Sequence, residues 1–300
     1  MDYKNKYDFI KNRKIFYGLS GFILVTGLIM LIFFSLNYGV DFKAGTNIEY
    51  ALGKAVPQKD IEAVVGETDA KLAEVTMGNG NKHTSMRFDE VLTDEQIKTI
   101  NAKFAEKFGK DVSPEVNVVS PDIAIELRNN AIKAVLIASI LIMIYVSIRF
   151  HWTIALAAVI GIFHDALMVI AFFAIFRFEV DLPFVAAVLT TVGYSINDKI
   201  VIFDRVRENL RHAKIKTAED LGDLVNQSIW QTMARSINTV ITVLIAALCL
   251  FIFGSESIKL FALAKIIGLT SGVYSSLCIS TPLWVWFRKN ALLKKKKVAA

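Results

Sequence analysis

The chain has 300 residues, a formal net charge of +6 and a mean hydropathy of +0.47, with 54% of its residues hydrophobic. Its apolar residues gather in blocks that approach the ~20 positions needed to cross a ~30 Å hydrocarbon core, which excludes one or two water-soluble domains built on scattered periodicities. The charge does not mark a nucleic-acid partner either. Basic residues collect near the chain ends (Lys11, Arg13, Lys14 and the lysine run at 294–297) and in one loop (Arg205, Arg207, Arg211), the placement that the positive-inside rule produces.

In chain order, residues 1–14 read as a basic cytoplasmic tail and 15–36 as the first membrane span. That block is too long for a signal-peptide core and lacks a small-x-small cleavage pattern, so it is expected to stay in place. Residues 37–130 read as a soluble exported domain. Within it, 47–52 looks like a strand, Pro57 opens a helix, and 72–77 and 83–88 look like strands around the turn signal Gly78-Asn-Gly-Asn81. Thr93-Asp-Glu-Gln96 has the pattern of a capping box, followed by Ile97, Ile100, Phe104 and Phe108 at helical spacing, and 116–119 closes with a strand. The order β-α-β-β-α-β is that of a ferredoxin-like split βαβ unit.

Five more spans fall within 131–287, at about 131–148, 153–176, 182–203, 237–253 and 260–287, before a basic tail at 288–300. The fold class expected is therefore an α-helical polytopic membrane protein of six spans with one small α+β domain. Lysines and arginines set its orientation. The tail has Lys4 and Lys6 besides those named, the second-to-third turn has Arg149, and the fourth-to-fifth loop adds Lys214 and Lys216. The opposite loops hold only Arg177, followed closely by Glu179 and Asp181, and Lys259 near Glu256. Both termini are expected inside. Cys249 and Cys278 lie within apolar blocks and read as unpaired thiols.

An ionisable side chain within a span costs ~2.5–3.5 kcal/mol at the helix centre and marks a functional site by default. His164 and Asp165 fall in the third span, Asn197, Asp198 and Lys199 in the fourth, Lys265 in the sixth, and Arg235 at the inner mouth of the fifth. Asp204 and Arg205 mark the inner edge of the fourth. Asp198 is too short to snorkel, and is the candidate proton carrier. Its bland alternative is a static pair with Arg235 that serves assembly. His164 and Asp165 are adjacent and diverge by about 100° on a helix, so one of them at most is expected to face the site. Lys265 reads equally as a snorkelling end residue or as a lid on a polar path. Gly268 and Gly272 form a G-x-x-x-G helix-contact spacing. No catalytic or metal-ligating spacing is evident, and no cofactor is expected.

Several segments are similar to motifs of one known family. Tyr38-Gly-Val-Asp-Phe-Lys-Ala-Gly-Thr46, carrying Gly39, Asp41, Phe42, Gly45 and Thr46, resembles its G-(I/V)-D-F-x-G-G-T signature. Glu126-Leu-Arg-Asn-Asn-Ala131, carrying Glu126, Leu127 and Arg128, resembles its E-L-R-x-x-A segment. The run from Gly193 to Asn209, then Arg235-Ser-Ile-Asn-Thr239 and Tyr274-Ser-Ser276, follow in the family's order. The family is SecF, of the bacterial protein-export machinery, within the resistance-nodulation-division superfamily. The resemblance implies a bacterial inner-membrane protein that pairs with SecD, with the SecYEG translocon and YajC as further partners, and uses the proton-motive force to assist export of unfolded preproteins. It also implies that Asp198 and Arg235 take part in proton use. Three positions depart from the family pattern: Ala44 where Gly is common, Lys199 where Thr is common, and Ser120-Pro121-Asp122 in place of a Gly-Pro-x stretch.

Two rivals stand beside this reading. A small-molecule or lipid exporter of the same superfamily would share the six spans. An intramembrane protease is suggested by Gly193-Tyr-Ser195 with His164 as base, although that histidine precedes the serine, and by the two intramembrane aspartates, although the Gly-x-Gly-Asp signature is missing.

Overall fold

Among the described residues of the computed structural model, six helices are long and apolar enough to cross a membrane. The structure describes residues 7–78, 80–109, 112–215 and 217–298, without the side chains at 113, 256, 257 and 290–298. Expectations placed on Lys4, Lys6, Asn79, Lys216 and the side chains of the lysine run lie outside the described residues. The chain starts with α1 (Arg13–Phe34), β1 (Asn37–Tyr38) and the single turn α2 (Val40–Lys43). A sheet domain follows: β2 (Gly45–Ala51), α3 (Gln58–Gly66), β3 (Leu72–Gly78), β4 (His83–Phe88), α4 (Asp94–Phe108) and β5 (Ser113–Val119). Next come α5 (Pro121–Arg149), α6 (Trp152–Phe176), β6 (Glu179–Val180), α7 (Leu182–His212) and α8 (Ala218–Phe253). The last span runs without interruption through α9 (Glu256–Ser275), a wide π turn (Ser276–Ser280) and α10 (Thr281–Val298).

The sheet domain has the ferredoxin-like order β3-β4-β2-β5, every neighbour antiparallel. Alternation puts Ile48, Tyr50, Met86 and Phe88 on one face, under Ile61, Val64 and Val65 of α3 and Ile100 and Phe104 of α4. The Tyr50 and Phe104 rings stack at 4.2 Å. Burial holds the Tyr50 phenol above its ordinary pKa, and its hydroxyl donates to Asn101. The capping box forms as the sequence suggests: the Gln96 N–H donates to Thr93 Oγ1 at 3.3 Å and the Thr93 N–H to Gln96 Oε1 at 2.9 Å.

Helix ends differ from the apolar blocks, because hydropathy follows solvent whereas a helix follows its hydrogen bonds and caps. Ser120 caps α5, with Pro121 in the first turn, so that helix begins ten residues before the apolar stretch at 131. At this departure from the Gly-Pro-x pattern, Ser120 Oγ accepts from the Ile123 N–H at 3.5 Å, a bond that Gly could not make. On the other side α7 and α8 extend to His212 and back to Ala218, well outside the apolar parts of the chain. Gly268 of the G-x-x-x-G pair is needed for packing: a Cβ there would lie 2.3 Å from Thr191 Oγ1, whereas one at Gly272 would meet Ser195 at an ordinary 3.5 Å. Cys278 is buried, whereas Cys249 faces outward from α8.

Candidate functional site within the spans

Helical spacing aims Ser195 and Lys199, four residues apart, along one stripe of α7 toward α6 and α9. Lys199 is 1% exposed, Asp165 of α6 is 0% exposed, and the two form an ion pair at 2.8 Å. Such a pair holds at this depth only if its remaining polar capacity is also met. It is met. The Lys199 ammonium donates to Ser195 Oγ at 2.6 Å, Ser275 Oγ at 2.9 Å and Ser276 Oγ at 3.3 Å. Asp165 Oδ2 accepts from Ser195 at 2.5 Å and Ser275 at 2.7 Å, and Oδ1 from Ser271 at 2.9 Å. The cluster thus joins α6, α7, α9 and the π turn. That widened turn brings Ser276 inward, as π turns do at functional positions. Gly161 leaves the space: a Cβ there would lie 2.5 Å from Lys199 Cε and 1.9 Å from Ser280 Oγ.

His164 joins the same network, contrary to the expectation that one of the adjacent pair would turn away. Its Nδ1 lies 3.1 Å from Asp165 Oδ1 and its Nε2 lies 3.0 Å from Ser20 Oγ of α1. Ser20 in turn contacts Tyr274 Oη at 3.0 Å, and that hydroxyl donates to Phe16 O at 2.7 Å. The imidazole reaches back along its own helix with one nitrogen and across to α1 with the other, so the 100° divergence is spanned by the ring. The unbroken chain is Tyr274, Ser20, His164, Asp165, Lys199.

Asp198 stands one residue from Lys199 and points to the other side of α7. It is buried and lines a small cleft with Tyr194, Ser195, Thr239, Val240, Leu269 and Gly272, between α7, α8 and α9. Ser236 of α8 faces it and is buried, and the charges of Lys199, Asp165 and Arg235 act on it. Among the described residues no ion pair within 4.0 Å links Asp198 to Arg235, whose side chain is exposed. The static pair considered as the bland alternative is therefore not formed. Asn197 is exposed and lies outside the cluster. Lys265 rests over the rings of Tyr194, which lines the cleft, and Phe261 at 5.5 and 5.6 Å.

The other expected residues sit elsewhere. Asp204 pairs with Arg149 at 2.9 Å and with Arg207 at 3.3 Å, and Arg205 with Glu208 at 2.9 Å, all at one end of α7. Glu126 and Arg128 are exposed on α5, while Leu127 packs on the α2 turn. Gly39, Asp41, Phe42, Gly45 and Thr46 gather at the opposite end, where the spans meet the sheet domain. Thr46 Oγ1 there accepts from the Leu92 N–H at 2.9 Å and donates to Glu90 O at 3.2 Å. Sequence reasoning named Ser195 only for the protease rival and Ser275 and Ser276 only within a motif, gave Ser271 no role, and did not see them as partners of the buried charges. Ser195 with Lys199, and Ser271 with Ser275, recur at i, i+4 in apolar spans, and that spacing was the available signal. Ser195 contacts Asp165 and Lys199 and makes no hydrogen bond to His164, so the protease dyad suggested by the sequence is not assembled.

Residues 99–290 match the family described as "Protein export membrane protein SecD/SecF, C-terminal". The chain is 44% identical over 293 residues to the protein translocase subunit SecDF of Bacillus subtilis, covering 96% of this chain and 39% of that protein. It is 43% identical to the protein translocase subunit SecF of Alicyclobacillus acidocaldarius, with 97% of this chain and 96% of that one covered. A crystal structure of SecDF from Thermus thermophilus, described as a translocon-associated membrane protein, superposes with a TM-score of 0.83 at 29% identity over 95% of this chain and 39% of that chain. A SecDF structure in a super-membrane-facing form gives 0.68 at 27% identity, over 99% of this chain and 40% of that chain.

Proposed function

We propose that this chain, which belongs to the SecD/SecF family of protein-export membrane proteins, is the SecF-type half of a two-part, proton-driven accessory to preprotein export. It is a multi-pass membrane protein, and SecDF relatives that carry this fold as 39% of a longer chain support a SecD-type partner. The finer reading places it in a bacterial inner membrane with both termini inside, working beside the SecYEG translocon and YajC on unfolded preproteins, with no chemical reaction catalysed.

The observation that carries the proton-driven reading is the contrast between two neighbouring carboxylates. Asp165 is locked in a paired, fully hydrogen-bonded cluster, whereas Asp198 stands in a cleft with no ion pair within 4.0 Å among the described residues. Lys199 adds no net charge beside Asp198, because Asp165 cancels it. One proton on Asp198 then changes the net charge of the three groups from −1 to 0. One charge crossing 100 mV is worth about 2.3 kcal/mol, enough to shift how α7 packs on α8 and α9. Asp198→Asn fixes the neutral form at nearly constant shape. In cells lacking the native protein it should insert and assemble but give at least a tenfold slower gradient-dependent export of a slow-folding preprotein. Full complementation at normal expression would end the proton-carrier role.

A further inference from the structure

At the opposite end of α7 from its Asp204 contacts, Asp41 holds two bodies at once. Its Oδ2 accepts from the Leu182 N–H at 3.0 Å, and its Oδ1 accepts from Asn117 Nδ2 at 3.2 Å. Leu182 is the first residue of α7, the helix that carries Asp198 and Lys199, and Asn117 lies in β5 of the sheet domain. The first contact satisfies a backbone donor that a helix start leaves unpaired, with a charge that suits the positive end of the dipole. Asp181 takes a second such donor, from Phe184, at 2.8 Å.

The turn that presents Asp41 is itself held from both sides. Phe42 is buried among Ala131, Val169, Phe173 and Phe184 of the spans, while Val40 and Ala44 pack with Val119 of β5 and Ala124 of α5. Beside it, β1 pairs in parallel with β6. A second contact bridges the same gap: Arg87 of β4 has Nη1 3.8 Å from Glu179 of β6. That one is an attraction of charges without a hydrogen bond, for Arg87 Nε and Nη1 are buried with no hydrogen-bond partner. Asp41, by contrast, joins α7 and the sheet by directional hydrogen bonds.

We infer that Asp41 is a positioning residue, a strut that sets the sheet domain on the first turn of α7 so that a movement of α7 carries the domain with it. The movement itself rests on the proton-driven reading, whereas the strut does not. The test uses the full chain in lipid nanodiscs, with Cys249→Ser and Cys278→Ala, and spin labels at Lys98→Cys on α4 and Phe253→Cys at the end of α8. The parent should give one narrow distance. Asp41→Ala should at least double the width of the distribution, and Asn117→Ala, which leaves α7 capped, should broaden it less. Asp41→Asn should stay narrow, because a flipped Asn117 amide restores both bonds. Asp198→Asn should shift the distance in the parent and not in Asp41→Ala. A narrow distance in both Asp41→Ala and Asn117→Ala overturns the strut, as does a shift by Asp198→Asn that survives in Asp41→Ala. A parent distance indifferent to Asp198→Asn counts instead against the proton-driven reading, and the Asp41 and Asn117 variants still decide the strut.

Discussion

Lys199 enters an apolar span and is kept there by one carboxylate and three hydroxyls. Removing one partner of a buried pair leaves a bare charge, at a cost of about 3–5 kcal/mol, whereas neutralising both costs far less. Lys199→Ala should therefore lower the unfolding midpoint in detergent, and Asp165→Asn combined with Lys199→Met should recover most of the loss. Equal midpoints for Lys199→Ala and the parent would show that the pair contributes nothing. A second residue-scale prediction concerns Ala44. It adopts φ 71° and ψ 162°, a region that is close to glycine-only, where a Cβ costs of order 1–3 kcal/mol. The conformation is forced by the step from α2 into β2. Ala44→Gly removes that strain and adds about 0.5–1 kcal/mol of unfolded-chain entropy. The net expectation is a stabilisation of about 1 kcal/mol, read as a rise in midpoint. The departure from the family pattern at this position is thus a strained one.

Among the elements, the seam between β6 and the sheet domain collects acid groups. Glu179 lies among Asp41, Glu49 and Glu74 opposite Arg87, and burial first, then those like charges, hold its pKa above the ordinary value against the arginine. Burial first, with Asp41 and Glu179 adding, pushes Asp181 up to about 7 against its hydrogen bond from Phe184. A carboxyl whose pKa is raised on folding binds more protons folded than unfolded. Stability then falls as pH rises from about 4 through about 7. The midpoint should decline over that window, and Asp181→Asn should flatten the decline; an unchanged slope would remove Asp181 as its source. The sheet domain itself was legible from sequence because alternation, a turn signal and a capping box each report a local rule. The cluster around Lys199 was legible only in part. Depth and helix face follow from position along a span, so Asp165, Asp198 and Lys199 were visible as candidates. Which face meets which follows from packing between helices, so the partnership of Asp165 with Lys199 was not, and serines in apolar spans look merely tolerated.

At the scale of the molecule, orientation decides which compartment would supply a proton to Asp198 on the proposed reading. Orientation is expected from lysine and arginine placement. Arg177, one of the few basic residues in the loops expected outside, is occupied: it donates to Phe34 O at 3.0 Å and also to Ser35 O, covering carbonyls left open where α1 ends. Its presence there is a helix cap and says little about topology. Near the other ends of the spans, Arg211 and Lys214 extend beyond the apolar part of α7, and Arg13 and Lys14 stand at the start of α1. The basic residues still lie mostly at those ends. A reporter active only outside the cytoplasm should therefore work when fused after Gly109, in the sheet domain, and stay silent after Lys214 or Ala300. Arg177→Gln should leave that pattern unchanged while loosening the end of α1, because the residue caps a helix and does not orient the chain. A reporter active after Lys214 would invert the fourth and fifth spans and overturn the orientation with both termini inside.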